Sequence, residues 1–286
     1  MKLLDPEEGR RLPGRRLEPG ERFRFRCHPQ IGCFNRCCRD LRLLLYPYDV
    51  LRLKRALGLS SEEFLDRHAQ IALAPGDLFP DVLLRMAENE ERTCPFLTEA
   101  GCGVYPDRPD TCRSFPLEQG LLHDAATGRD EPVFFFRPPA FCRGPLEDAE
   151  WTVETWRADQ QAAAYHRMTV RWARLWRRFQ ENPWGPEGPA GRRGRMAFMA
   201  AYNLDRFRAF VFESSFLERF RLRPSVREAI RGDDEALLSF GFEWIEFFLW
   251  GEKGRAFSAG SRGGGSQGPP SSTPFGIGGT LSPPST

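Results

Sequence analysis

All eight cysteines of this 286-residue chain, at positions 27, 33, 37, 38, 94, 102, 112 and 142, lie in its first half, and none falls in the last 144 residues. Cysteines that serve only as small core hydrophobes would be scattered through both halves. Their confinement predicts a shared task, either bonding to one another or holding a metal. The N-terminus, Met-Lys-Leu-Leu-Asp-Pro-Glu-Glu, meets acid and proline before any apolar stretch develops, so it shows no secretory pattern. The most apolar segment, Ala236 to Trp250, falls short of the ~20 residues of a membrane helix and contains Glu243 and Glu246. The expected location is therefore the cytoplasm, with no membrane partner. In that reducing compartment cysteines act as ligands or redox groups more readily than as disulfides.

The spacing sharpens this reading. One group runs Cys27-His-Pro-Gln-Ile-Gly-Cys33-Phe-Asn-Arg-Cys37-Cys38, a second places Cys94, Cys102 and Cys112 among prolines and glycines, and Cys142 follows in Phe-Cys-Arg-Gly. Short spacings let successive sulfurs turn towards one centre, and Gly32, Gly101 and Gly103 supply permissive backbone for the turns. Several thiolates around a metal leave a negative centre that is costly to bury alone. Arg26, Arg36, Arg39, Arg113 and Arg143, each beside a cysteine in sequence, offset that charge and favour the thiolate form. Eight sulfurs permit two four-cysteine sites, or one four-sulfur cluster with the remaining thiols in supporting or redox roles. Adjacent Cys37 and Cys38 strain to bind the same metal, so they serve different centres or only one of them ligates. All eight are candidate metal ligands.

These residues resemble the YkgJ-type cysteine-cluster family, a zinc- or iron-chelating domain named for a CxxCxxCC motif. The resemblance runs from about Phe23 to Cys142. It rests on the double cysteine at 37 and 38, Cys-Pro-Phe-Leu at 94 to 97, and Tyr-Pro-Asp-Arg-Pro-Asp-Thr-Cys-Arg-Ser-Phe-Pro at 105 to 116. The first group departs from the motif. Five residues separate Cys27 from Cys33 and three separate Cys33 from Cys37, where the short pattern has two and two. The resemblance implies a metal centre without naming a reaction. A related cluster in flagellin lysine methylases implies cluster-assisted transferase chemistry as one use.

Around the cysteines the chain reads in four parts: an arm over 1–20, the cysteine-cluster module over 21–150, a helical region over 151–257, and a Gly/Ser/Pro tail over 258–286. The tail's composition cannot bury enough surface to offset its ordering entropy, which predicts disorder. Arg22 to Arg26 alternates with period 2 and predicts a strand; Leu41 to Tyr46 reads as a second. Asp49 caps a helix over Val50 to Leu57 that stops at Gly58. Ser60 with Glu63 forms a capping box for a helix running towards Leu73. Seven prolines between Cys94 and Phe141 forbid long helices, and Val133 to Phe136 suggests a strand. Met168, Trp172, Leu175, Trp176 and Phe179 fall at helical spacing. Asn182 to Arg195 reads as a linker, Met196 to Phe220 as helical with Phe207, Phe210 and Val211 on one face, and Glu235 to Trp250 as a last helix ended by Gly251. The fold class expected is mainly α with a small irregular loop/strand cysteine-rich metal-binding module.

Other chemistry finds little support. The net charge is +2, although 38 of 41 basic residues are arginine, which argues against nucleic acid as a partner. His28 beside Cys27 could complete a site; His166 reads as packed or surface, and Asp40, Asp107 and Asp110 as loop caps. No phosphate-cradling glycine loop, Ser-His-Asp order or His-Glu-x-x-His string occurs. The leading expectation is an iron–sulfur cluster protein with a redox role. The alternative is a zinc-stabilised module that organises loops for an unidentified protein partner, and the third reading is a cluster-dependent, methylase-like transferase. Whether the protein is an enzyme stays open.

Overall fold

The computed structural model describes residues 2–4, 14–252 and 254–257, about 45% of these described residues being helical. The tail 258–286 and residues 5–13 of the arm lie outside the described residues. The chain divides into two compact units. One comprises residues 1–56 and 84–177, the other 57–83 and 178–286.

The first unit is built on a β-hairpin, Leu117–Asp124 paired antiparallel with Arg129–Phe136. Strand Arg15–Leu17 adds antiparallel to the outer edge and Lys2–Leu4 adds parallel to the inner one, giving a four-stranded sheet. Gly120 permits the close approach of Lys2–Leu4, because a Cβ there would run into the Leu4 side chain. On one flank Leu17, Phe23, Phe25, Leu117, Val153 and Trp156 form a buried cluster, and Cys142 packs against it. Helix Ala163–Arg178 buries Val170 and Ala173 against Leu121. Burial of each such Leu or Phe stabilises the fold by about 1.5–3 kcal/mol. The indole of Trp151 donates to the Phe25 carbonyl at 2.8 Å and that of Trp156 to the Ser114 carbonyl at 3.1 Å, so both aromatic anchors are polar ties as well.

In the second unit the capping box holds as expected: the Ser60 hydroxyl accepts from the Glu63 N–H, and the Glu63 carboxylate accepts from the Ser60 N–H. Helix Ser61–His68 leads into strand Ala69–Ala72 and on to Phe79, which stacks on Phe179 at 4.8 Å, before strand Asp81–Leu84. Helices Arg192–Tyr202, Leu204–Glu213, Pro224–Gly232 and Asp234–Trp250 follow, with Phe207, Phe216, Phe240 and Trp244 in the core. Asp233 caps the last helix by accepting from the Glu235 and Ala236 N–H groups, and Gly251 ends it at φ +74°.

Several expectations are corrected. The strands form a real sheet rather than irregular pieces, and residues 2–4 and 15–17 of the expected arm belong to it. Leu41 to Tyr46 is no strand, although the Leu84 N–H donates to the Leu43 carbonyl at 2.8 Å. The first helix starts at Pro47, so Asp49 lies inside its first turn, accepting from the Tyr46 N–H at 2.9 Å. The next helix stops at His68 instead of reaching Leu73, and the expected linker becomes helical at Arg192. Among the described residues no helix is long and apolar enough to cross a membrane.

Candidate metal centre

Backbone pairing brings the cysteine segments together. Phe23–Arg24 pairs with Glu150–Trp151, and beyond that strand the Arg26 N–H donates to the Gly144 carbonyl at 3.1 Å. This sets Cys27 beside the Cys142 turn, where the Arg143 N–H reaches Cys33 Sγ at 3.2 Å. Asn35, at φ +62°, turns the chain into a single 3-10 turn, Arg36–Cys38, that carries both adjacent cysteines. The next residues pair with the second group. Arg39 bridges Thr93, the Asp40 N–H donates to the Arg92 carbonyl, and the Cys94 N–H donates to the Cys38 carbonyl at 2.8 Å. A two-residue ladder then sets Cys102 opposite Leu97, and Cys112 sits on the short helix Asp110–Ser114.

All eight thiols are free; Cys33 is buried, Cys27 exposed and the rest intermediate. Their electrostatics link them. Partial burial of its sulfur, then the charges of Cys37, Cys33 and Cys142, push the Cys27 thiol up to about 11. Burial followed by Cys94, Asp49, Cys102 and Cys37 raises Cys112. Burial also raises Cys94, Cys102 and Cys142, against N–H groups that stabilise their thiolates: those of Phe96 and Leu97 at Cys94, Val104 at Cys102 and Gly144 at Cys142. Cys37 and Cys38 share a thiol hydrogen bond, which draws Cys37 down to about 7 and pushes Cys38 up. Cys37 thus acts on Cys27, Cys38, Cys94, Cys102, Cys112 and Cys142 alike, and is the common neighbour of both groups.

Buried cations flank the thiols. The Arg108 guanidinium lies 3.7 Å from the Tyr105 ring centre, donates to the Tyr105 carbonyl at 2.5 Å and to Gln160 Oε1 at 2.6 Å, and its charge reaches Cys102 and Cys112. Arg113 donates to the Gln160 and Pro106 carbonyls, both at 2.6 Å, and lies 4.2 Å from the Tyr165 ring. Neither is hydrogen-bonded to a carboxylate among the described residues; the Arg108 charge acts on Cys102 and Cys112, and that of Arg113 on Asp49 and Tyr165. Beneath them Asp49 accepts from the Asp110 N–H at 2.8 Å. Both carboxyls are pushed above the usual range, chiefly by burial.

Sequence reasoning missed Arg108, Gln160, Tyr165 and Asp49. Nothing in a chain with 38 arginines distinguishes the buried ones. His28 faces away from a ligand role, with Nδ1 at Gln30 and Nε2 3.3 Å from Glu147. Asp107 and Asp40 pair with Arg52 and Arg92. His166 is buried and bonded to Gln119 at 2.7 Å.

The donor set fits a thiolate-bound metal in kind: eight free thiols, backbone N–H groups aimed at sulfur, and buried guanidiniums to offset the charge. As arranged, no three His, Cys, Asp or Glu side chains among the described residues meet the geometry of a single bound ion. Neither the curated proteins nor the solved structures contain a match to the chain. Residues 26–143 match the family described as CxxCxxCC, a "putative zinc- or iron-chelating domain". That stretch, from Arg26 before the first cysteine to Arg143 after the last, is similar to the CxxCxxCC cysteine-cluster family.

Proposed function

We propose that residues 26–143 hold an iron–sulfur cluster on cysteines of the eight-thiol set and that the protein works in redox chemistry. The observation that carries the reading is the shared field of thiols from separate segments around Cys37. Thiols that raise one another's pKa resist ionising together, and a bound cation removes that resistance. A single tetrahedral zinc, at about 2.3 Å from each sulfur, needs a tight tetrad. Eight free thiols in a chain with only four histidines suit a polynuclear thiolate centre. Anaerobically purified protein is expected to be brown, with iron, acid-labile sulfide and visible absorption that bleaches on reduction. A colourless preparation with stoichiometric zinc overturns it.

The second reading, a zinc-stabilised module, is favoured by the family description, which names zinc beside iron. It predicts that a chelator unfolds the cysteine-bearing unit with no change in colour or redox signal.

A further inference from the structure

The surface beside Cys27 and Cys142 carries positive charge that no described residue neutralises. Arg26, Arg36 and Arg143 are exposed, and none forms an ion pair among the described residues. They stand together: the Arg26 N–H is bonded to the Gly144 carbonyl, Arg143 directly precedes that glycine, and the Arg36 guanidinium lies 5.1 Å from the Phe141 ring. Their neighbours differ. Arg24 pairs with Glu150 and Arg39 with Glu91, while the nearby acid Glu147 is engaged by His28. Leu146, in the turn Gly144–Leu146 that directly follows Arg143, is 81% exposed. Unpaired arginines around an exposed apolar side chain have the composition of a protein–protein interface, and their sign selects a negatively charged partner.

We infer that this face docks a small acidic electron-carrier protein, whose carboxylates meet Arg26, Arg36 and Arg143 while an apolar spot covers Leu146. The docking rests on the surface alone; the choice of an electron carrier rests on the cluster reading, since Cys27 brings the thiol set to this exposed edge.

The test uses the full-length protein, purified without oxygen, and a fluorescently labelled plant-type [2Fe–2S] ferredoxin as the acidic probe, with a basic cytochrome c as control. Binding is read by anisotropy, and metal content and absorption are measured on the same samples. The ferredoxin is expected to bind and to weaken about tenfold or more between 20 and 200 mM salt, where surface charges become screened. The variant R26E/R36E/R143E is expected to lose binding at least tenfold with its far-ultraviolet circular dichroism unchanged. The variant R219E/R223E/R227E, with the same net charge but reversals on exposed residues of the other unit, is expected to bind as wild type. Equal losses in both variants, salt-independent binding, or equal binding of cytochrome c overturn the docking face. If the preparation holds no cluster yet binds with this pattern, docking stands and the cluster reading falls. If it holds a cluster and shows no such binding, docking alone falls.

Discussion

Cys94 donates its backbone N–H to the carbonyl of Cys38 across 2.8 Å, joining cysteine groups that the sequence separates by more than fifty residues. With Arg39 bridging Thr93 beside it, this short ladder fixes the register in which the two cysteine-bearing segments pair.

The first prediction follows from the charge coupling of Cys37. Cys37→Ser should remove most of the bound metal, because it withdraws the thiol whose charge acts on cysteines of both groups. Cys27→Ser, at the exposed edge, should remove the least. Metal per chain, measured for all eight single serine variants, ranks them; a Cys27 loss equal to the Cys37 loss contradicts the arrangement.

Arg108 supplies a second test. Its buried guanidinium offsets negative charge near Cys102 and Cys112, so Arg108→Gln should make a cluster harder to reduce, by on the order of 50 mV. Arg108→Lys should recover part of the shift. Voltammetry reads the potential, and a purely packing role would leave it unmoved.

His166 predicts a pH dependence. Burial, then the Arg157 charge, holds its imidazole down to about 4, against about 6.5 in the unfolded chain. The folded state therefore binds fewer protons, and the stability it contributes is fully present above pH ~6.5 and lost as pH falls towards 4. The full loss is about 3 kcal/mol. Urea midpoints between pH 7.5 and 5 should fall in wild type and flatten in His166→Gln. An unchanged slope in the variant would falsify the assignment.

Ser60→Ala removes the hydroxyl that accepts from Glu63 in the second unit and should cost about 1 kcal/mol of stability. Metal content should stay at the wild-type value, which separates a folding defect from a ligand defect.

Much of this was legible beforehand, and the reasons are local. The capping box at Ser60, the left-handed stops at Gly58 and Gly251, and the helix carrying Trp172 and Leu175 follow from short-range chemistry that sequence spacing displays. The hairpin 117–136 did not, because Gly120 and Pro132 are poor strand residues and are tolerated only by contacts made elsewhere: Gly120 against Leu4, and Pro132 opposite Leu121. At the site, the cysteines announced themselves by count and spacing. Asp49 and Arg108 did not, because burial, which gives each its role, depends on the packing of distant segments.

The path of the chain has a practical consequence for dissecting it. Between Cys38 and Cys94 it leaves the cysteine-bearing unit at Ala56 and returns at Leu84. The excursion carries Ser61, whose N–H donates to Asp205 at 2.6 Å, and Phe79, which stacks on Phe179 and Trp184. A fragment ending where the family match ends, at Arg143, would inherit those 27 residues stripped of their core partners. The economical excision removes 57–83, joins Ala56 to Leu84 through a short glycine-rich bridge, and runs on to Arg177, so that every thiol keeps the scaffold it folds against.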